Sequence, residues 1–310
     1  MARKIPKLSS VVLGLAASIP LAAHATPPAP QRLSPVSKGY AEAAEGLKVY
    51  YEVFGKGDPI VIMAGGFGDI TSMAQVIGPL SRKRQVIGIE LEGHGHTALR
   101  ATPMSHERNG DDVAAVLRHL KIAQADVGGY SHGADAAIRM AIQHPEMVRN
   151  LIVVSTAAER DGWYPENLKA MSALTSAQAE QMKQSPMYQK WWAPVAPHPE
   201  QWPVLLDRMG DLMRKDYDWR PEIAKLEMPT LLLFADHDGV STRHIAEFFA
   251  LFGGGLKDPG WQGTPQFARA RLAIVPGYTH YNFGMGPDVA RVIEAYLEHP
   301  TSAATQFAPE

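Results

Sequence analysis

The chain has 310 residues, of which 45% are hydrophobic and 20% charged, a composition ordinary for a globular protein with a large apolar core. The formal net charge of −2 provides no basic field, so we expect no nucleic-acid partner. Cysteine is absent, which excludes disulfides, thiolate zinc sites, iron–sulfur clusters and a cysteine nucleophile.

The N-terminal stretch has the pattern of a secretory signal peptide. Three basic residues within 1–7 precede an apolar run over 11–23, and an Ala-x-Ala motif ends at Ala25. We expect cleavage near Ala25 and an exported chain, periplasmic or secreted. An N-terminal anchor is the alternative, but Pro20 and the short run disfavour it because a span needs about 20 apolar residues. No later apolar run is long enough, so we expect no stable membrane insertion of the mature chain.

The first half of the mature chain alternates apolar runs with amphipathic stretches. Residues 26–37 are rich in proline and predict a flexible leader. Turn residues then separate a series of elements. The predicted elements, in chain order, are strands over 39–44, 47–54, 59–66 and 84–91, a helix over 106–121, a strand over 125–130, a helix over 133–145 and a strand over 149–156.

The segment 157–222 interrupts this alternation. It holds five of the six tryptophans and has the pattern of short helices without strands. We therefore predict a helical cap that covers one end of the sheet. After it the alternation resumes, with a strand over 229–236, a helix over 241–252, a strand over 271–277 and a helix over 287–299.

Strands that alternate with helices predict an α/β fold with a mostly parallel central sheet flanked by helices. The predicted organisation is a signal peptide over 1–25, a flexible leader over 26–37, a core over 38–156 and 223–300, a cap over 157–222 and a C-terminal tail over 301–310.

The motif Gly129-Tyr130-Ser131-His132-Gly133 fits the pattern G-x-S-x-G and lies between a predicted strand and a predicted helix. In that context the glycines permit a tight turn that exposes the serine hydroxyl. The motif therefore favours Ser131 as a nucleophile. The alternative is a serine that caps the following helix in a glycine-rich turn.

A serine nucleophile needs a base and an acid that orients the base. Two later strands end in suitable residues: "TLLLFAD" runs into Asp236-His237-Asp238, and "RLAIVPG" runs into Tyr278-Thr279-His280. The carboxyl ends of such strands are where ligand chemistry occurs in open α/β sheets.

These stretches together resemble the α/β-hydrolase family, specifically an esterase-like serine hydrolase with a helical lid. The resemblance covers roughly residues 39–156 and 228–299 and rests on "IVIMAGGFGD", "IELEGHGHT", "GGYSHGADAAIRMAIQHPEMVRNLIVVS", "LLLFADHDGV" and "VPGYTHYNF". It implies the α/β-hydrolase fold, with Ser131 as nucleophile, His280 as base and Asp238 as acid.

Neighbouring residues compete for two of these roles. Asp236 is the alternative acid, and we expect it instead to accept backbone N–H groups in the turn. His237 and His244 are the alternative bases. Neither ends a strand, and we expect His244, within a predicted helix, to be solvated or to act as a cap.

An oxyanion hole needs two backbone N–H groups. The resemblance implies that one comes from His132 and the other from Phe67. Gly65 stands where the family usually carries a histidine that stabilises the loop. The sequence therefore does not predict how well ordered the loop that holds Phe67 is.

The pair His94 and His96 has metal-like spacing, but no further ligand cluster follows with usable spacing, so we predict no metal site there. No cofactor is implied. Tryptophan and methionine in the cap favour a small hydrophobic ester as substrate. A lactonase, an amidase and a C–C bond hydrolase would use the same residues, and a non-catalytic binding protein on this scaffold is a further alternative.

Overall fold

The computed structural model describes residues 33–258 and 268–300. The predicted signal peptide, most of the predicted leader and the predicted C-terminal tail lie outside the described residues. Within the described part of the chain, no helix combines the length and the apolar composition needed to cross a membrane.

Eight strands form one sheet in the order β1-β2-β4-β3-β5-β6-β7-β8. Each predicted strand is present, with its ends shifted by a few residues at most, and the predicted fold class is confirmed. The strands are β1 (Ser37–Glu42), β2 (Lys48–Phe54), β3 (Pro59–Met63), β4 (Gln85–Ile89), β5 (Ala125–Tyr130), β6 (Val148–Val154), β7 (Thr230–His237) and β8 (Ala270–Thr279).

The direction of the strands determines where the polar strand ends meet. β2 pairs antiparallel with β1 and with β4, whereas every pairing from β4 through β3, β5, β6 and β7 to β8 is parallel. The carboxyl ends of these parallel strands therefore lie along one edge of the sheet.

Helices cover both faces of the sheet. The four predicted helices are present as α2, α3, α8 and α10, whereas the short α1, which contains Gly78 and Pro79, was not predicted because both residues disfavour a helix. The helices are α1 (Ala74–Leu80), α2 (His106–His119), α3 (His132–Gln143), α4 (Pro165–Ser172), α5 (Ala179–Met182), α6 (Trp202–Arg214), α7 (Arg220–Ile223), α8 (Thr242–Leu251), α9 (His280–Phe283) and α10 (Pro287–Glu298).

The core consists of a layer on each face of the sheet. Along β3, Val61 and Met63 pack on the layer that contains α2, α3 and α8, while Ile60 and Ile62 pack on the layer that contains α1 and α10. This alternation follows from the two-residue period of a strand, and burial on both faces explains why these strands are continuous apolar runs.

Between β6 and β7 the described chain forms α4 to α7 and adds no strand to the sheet. Its side chains build a third apolar cluster, in which Trp192, Trp202 and Met209 pack with Phe67 of the β3 loop. The division of the chain into core and cap stays a prediction.

Candidate active site

Ser131 lies at the turn between β5 and α3. Its backbone has φ 51° and ψ −119°, a left-handed conformation that costs a non-glycine residue about 1–3 kcal/mol and that is concentrated at functional sites. The N–H of Ser131 donates to the carbonyl of Val154 at 2.9 Å, which fixes the turn against β6. The helix-capping alternative requires the Ser131 hydroxyl to accept a backbone N–H of α3. The described structure contains no such hydrogen bond.

The two glycines of the motif are required by contacts with backbone atoms. A Cβ on Gly129 would lie 2.2 Å from the carbonyl carbon of Gly133. A Cβ on Gly133 would lie 2.5 Å from the carbonyl oxygen of Ala64, at the end of β3. Because backbone atoms of a packed sheet cannot move aside, only glycine allows β3, β5 and α3 to approach this closely.

The structure brings Ser131, His280 and Asp238 together from three strand ends. The Ser131 Oγ lies 3.1 Å from Nε2 of His280, the first residue after β8. Nδ1 of the same ring lies 3.0 Å from Oδ1 of Asp238, the first residue after β7. This chain of contacts, the serine relay, runs from the hydroxyl through the imidazole to the carboxylate. Ser131 and His280 are 149 positions apart in the sequence, and Asp238 and His280 are 42 apart.

Asp238 is buried, with 8% of its surface exposed, and its carboxylate is surrounded by donors. The Ser155 hydroxyl donates to Oδ2 at 2.5 Å, and the N–H groups of Ala235 and Val240 donate at 3.2 Å each. Burial opposes ionisation, but the hydrogen bonds from His280, Ser155 and Ala235 together hold the pKa of Asp238 below its usual value. The carboxylate is thus kept ionised beside the imidazole.

Asp236 and His237 lie apart from this relay. The Oδ1 of Asp236 accepts the N–H groups of Gly277 and Tyr278 at 2.9 and 3.2 Å, the turn-forming contacts that the sequence predicts for it. His237 pairs with Asp236 at 3.1 Å, and its side chain is 75% exposed.

The expectation that His244 is solvated or acts as a cap is wrong. His244 is buried within α8, and its Nε2 accepts the backbone N–H of Ala158 at 3.0 Å. Sequence periodicity could not show this contact, because its two residues lie 86 positions apart.

The proposed oxyanion donors both line the cavity that contains Ser131. Phe67 follows Gly66 with φ 63°, which turns the loop after β3. His132 is the first residue of α3, where backbone N–H groups have no partner within the helix. Among the described residues, no hydrogen bond occupies the backbone N–H of Phe67 or that of His132.

Tyr130, which sequence reasoning missed, connects the serine turn to α9. Its hydroxyl donates to the backbone carbonyl of His280. Its ring packs so closely on two glycines that a Cβ on Gly65 would lie 2.9 Å from it and a Cβ on Gly284 2.1 Å from it. The Tyr130 ring therefore leaves no room for a side chain at position 65, which accounts for the glycine there.

Two further residues near the relay could have been suspected from sequence. Ser155 directly follows β6 and is fully buried, so it is a polar residue at a strand end like Asp238. Trp163 lies edge-on to the His280 ring, with ring centres 5.2 Å apart. Both restrict how Asp238 and His280 can move.

His94 and His96 have different partners. Nδ1 of His94 contacts the carbonyl of Glu92 at 2.8 Å, while Nδ1 of His96 contacts the Glu90 carboxylate at 3.0 Å. Burial lowers the pKa of His94 to about 3, so its imidazole is neutral.

The cavity at Ser131 has a volume of about 540 Å³. Most of its lining is apolar, and the segment between β6 and β7 contributes several of the apolar side chains, including Leu168, Met171, Met187, Trp191 and Leu212. One wall is polar and contains His106, His132, Asp135 and Tyr217. Of the five tryptophans in 157–222, Trp163, Trp192, Trp202 and Trp219 are buried.

A sequence profile of the alpha/beta hydrolase fold matches residues 58–283. A protein of Azorhizobium caulinodans that carries the name carbamate hydrolase is 26% identical over 257 residues, which is 78% of this chain and 91% of that protein. A 3-oxoadipate enol-lactonase of Acinetobacter baylyi is 28% identical over 222 residues, which is 66% of this chain and 81% of that protein.

Solved structures show the same fold. An esterase of Thermogutta terrifontis superposes with a TM-score of 0.65 at 20% identity, over 86% of this chain and 99% of that one. At this identity the likeness concerns the fold alone.

Proposed function

Because the chain belongs to the alpha/beta hydrolase fold family, we propose that it is a serine hydrolase that cleaves carboxylic esters through an acyl-enzyme intermediate. The observation that carries this proposal is the relay from the Ser131 hydroxyl through His280 to Asp238, with contacts of 3.1 and 3.0 Å. The strained backbone of Ser131 supports it, as do the backbone N–H groups of Phe67 and His132, which have no hydrogen-bond partner within the described part of the chain.

In the proposed reaction the Ser131 Oγ attacks the ester carbonyl and gives its proton to Nε2 of His280. Asp238 holds the ring in the tautomer that carries a proton on Nδ1 and stabilises the imidazolium that forms. The N–H groups of Phe67 and His132 donate to the oxyanion. The C–O bond breaks as His280 returns the proton to the leaving alcohol, and water activated by the same ring then releases the acid.

The apolar lining of the cavity supports a hydrophobic acyl or alcohol group as the substrate's main feature. Side chains such as Met171, Met187 and Trp191 offer adaptable or large apolar surfaces next to Ser131. We therefore expect neutral, hydrophobic small-molecule esters to be better substrates than charged ones.

The test is hydrolysis of a nitrophenyl ester series, from acetate to decanoate, by the wild-type chain and by Ser131→Ala. We expect the variant to lose about 10⁴-fold or more in kcat, and a fluorophosphonate to label the wild type only. Circular dichroism verifies that both are folded. A folded wild type that neither hydrolyses esters nor accepts the label would refute a serine mechanism for esters.

A matched pair of variants tests the assignment of the acid. Asp238→Asn should lower kcat by about 10⁴-fold, because an amide favours the wrong imidazole tautomer. Asp236→Asn should change kcat little, since Asp236 contacts backbone N–H groups of Gly277 and Tyr278 and not the His280 ring. Equal losses in both variants would contradict the assignment.

Hydrolysis of lactones, carbamates and C–C bonds would use the same three residues, so these substrates are compared with esters by their kcat/KM values. The enol-lactonase and carbamate hydrolase names of two relatives make a lactone and a carbamate the first additions to the ester panel. A kcat/KM for either that exceeds the best ester value would replace the proposed substrate class while retaining the role of Ser131.

We also propose export after cleavage near Ala25, on the basis of the N-terminal sequence pattern. N-terminal sequencing of the protein recovered from periplasm and medium tests this. Recovery of the uncleaved chain in the cytoplasm alone would contradict it.

A further inference from the structure

Three side chains of types that can ligate metal ions converge on the polar wall of the cavity, apart from the serine relay. His106 opens α2, while His132 and Asp135 lie in the first turn of α3. Nδ1 of His106 lies 3.8 Å, and Nδ1 of His132 3.9 Å, from the same oxygen, Oδ2 of Asp135. All three ligand atoms fall within 4.8 Å of one another. These separations are too long for hydrogen bonds, so the three atoms surround a gap.

The gap leaves a buried polar atom unsatisfied. Nδ1 of His106 is buried and has no hydrogen-bond partner among the described residues, a situation that costs about 1–3 kcal/mol. Oδ1 of Asp135 is held by the Thr156 hydroxyl at 2.5 Å, which leaves Oδ2 directed at the two histidines.

An outer residue orients the second histidine. The side-chain amide of Asn109 contacts Nε2 of His132 at 3.2 Å, and its Oδ1 is buried with no hydrogen-bond partner in the described ranges. Since the two ends of an amide are assigned from the hydrogen-bond network, the opposite orientation is equally admissible. It lets the Asn109 oxygen accept a proton from Nε2 and leaves Nδ1 of His132 with the lone pair that a metal ligand needs.

We propose that His106, His132 and Asp135 bind a divalent transition-metal ion, best matched by Zn²⁺. Zinc takes imidazole nitrogen and carboxylate oxygen at about 2.0–2.2 Å, and three protein ligands leave its fourth position open. Two such bonds at a tetrahedral angle separate the ligand atoms by about 3.4 Å. The two histidine-to-Asp135 separations of 3.8 and 3.9 Å would therefore need to shorten by about 0.4–0.5 Å, and the open position would face the cavity that contains Ser131.

The charges around the cluster favour a cation. The guanidinium of Arg139 pairs with Glu222 at 3.1 Å and with Glu107 at 3.7 Å, and Asp135 has no arginine or lysine ion-pair partner among the described residues. Tyr217 and Trp219 pack their rings on His106.

A second cluster of similar composition provides the contrast. Glu159, His244 and Glu247 also lie within 4.8 Å of one another. However, Nε2 of His244 accepts the N–H of Ala158, so its Nδ1 carries the proton. Both carboxylates already pair with arginine, Glu159 with Arg220 at 2.7 Å and Glu247 with Arg243 at 2.9 Å. This cluster is neutralised by protein charges and serves as a control.

The test is metal binding by the EDTA-treated full chain. We expect one Zn²⁺ per chain by isothermal titration calorimetry, and visible absorption bands of tetrahedral Co²⁺ when cobalt replaces zinc. His106→Gln and Asp135→Asn remove one ligand each while they preserve volume. Each should weaken Zn²⁺ binding by more than the about 10–100-fold that loss of an outer-sphere partner costs. Glu247→Gln should bind as the wild type does.

Ser131→Ala separates this inference from the proposed function, because it should abolish hydrolysis and still bind Zn²⁺. Thermal unfolding without metal verifies that each variant is folded. A wild type that binds neither Zn²⁺ nor Co²⁺ at millimolar concentration would overturn the proposal. Binding that persists unchanged in both His106→Gln and Asp135→Asn would also overturn it, as would binding lost in Glu247→Gln alone.

Discussion

Substitution of Gly65 by alanine should destabilise the protein through a contact with Tyr130. The added Cβ would lie 2.9 Å from two carbon atoms of the Tyr130 ring and 3.4 Å from the Cβ of Ser131. The ring has little freedom to move, because its hydroxyl is bonded to the carbonyl of His280 and Gly284 packs against it. The clash is therefore with a fixed group.

The magnitude follows from two opposing terms. Overpacking in a close-packed site costs about 1–3 kcal/mol, whereas loss of glycine freedom in the unfolded chain returns about 0.4–1 kcal/mol. With central values of about 2 and 0.7 kcal/mol for these two terms, we expect Gly65→Ala to lower the free energy of unfolding by about 1.3 kcal/mol. Gly66→Ala is the matched control, since its Cβ would meet only the terminal methyl of Met209, at 3.4 Å. Neither glycine has a positive φ, so Gly66→Ala should be neutral or slightly stabilising.

Urea unfolding of both variants gives the comparison, and a double-mutant cycle with Tyr130→Ala identifies the cause. Removal of the ring should cancel most of the overpacking cost of Gly65→Ala, which appears as a coupling energy of about 1–3 kcal/mol. Equal stability of Gly65→Ala and Gly66→Ala would refute the reasoning. So would a penalty that persists in the absence of the ring.

Two further predictions concern buried charges. Ser155→Ala removes the donor at 2.5 Å from Asp238 and should lower the free energy of unfolding at pH 7 by about 1.5–3 kcal/mol. Because the folded pKa of Asp238 is depressed, this contribution exists above the unfolded pKa of about 3.9 and disappears as the pH falls below it. We therefore expect the difference in free energy of unfolding between the wild type and Ser155→Ala, measured by urea unfolding, to be smaller below pH about 4 than at neutral pH. The same difference at both pH values would contradict this. Arg100→Gln should cost about 3–5 kcal/mol, because it leaves the buried carboxylates of Glu92 and Asp112 without their partner at 2.8 and 2.5 Å. A loss below about 1 kcal/mol, the value of an exposed pair, would contradict the burial argument.

The sequence determined the elements and their type, because these depend on local properties. Short apolar runs predicted the six parallel strands β3 to β8, alternating character predicted β1 and β2, and helical patterns predicted α2, α3, α8 and α10. The glycines of the G-x-S-x-G motif predicted the turn at Ser131, since the sterics of a strand-to-helix turn act over a few residues. Short helices such as α1 escaped prediction because tertiary packing overrides the poor propensity of Gly78 and Pro79.

The family resemblance implied Ser131, His280 and Asp238 as a set, but only the tertiary structure shows how these side chains come together. The sheet order places the ends of β5, β7 and β8 along one edge, and only this brings Ser131 within 3.1 Å of His280. The support of Asp238 by Ser155, the bond from Tyr130 to the His280 carbonyl and the convergence of His106 with Asp135 likewise join residues distant in the chain. Local periodicity carries no information about such pairs, because their distance is set by strand order and packing between layers.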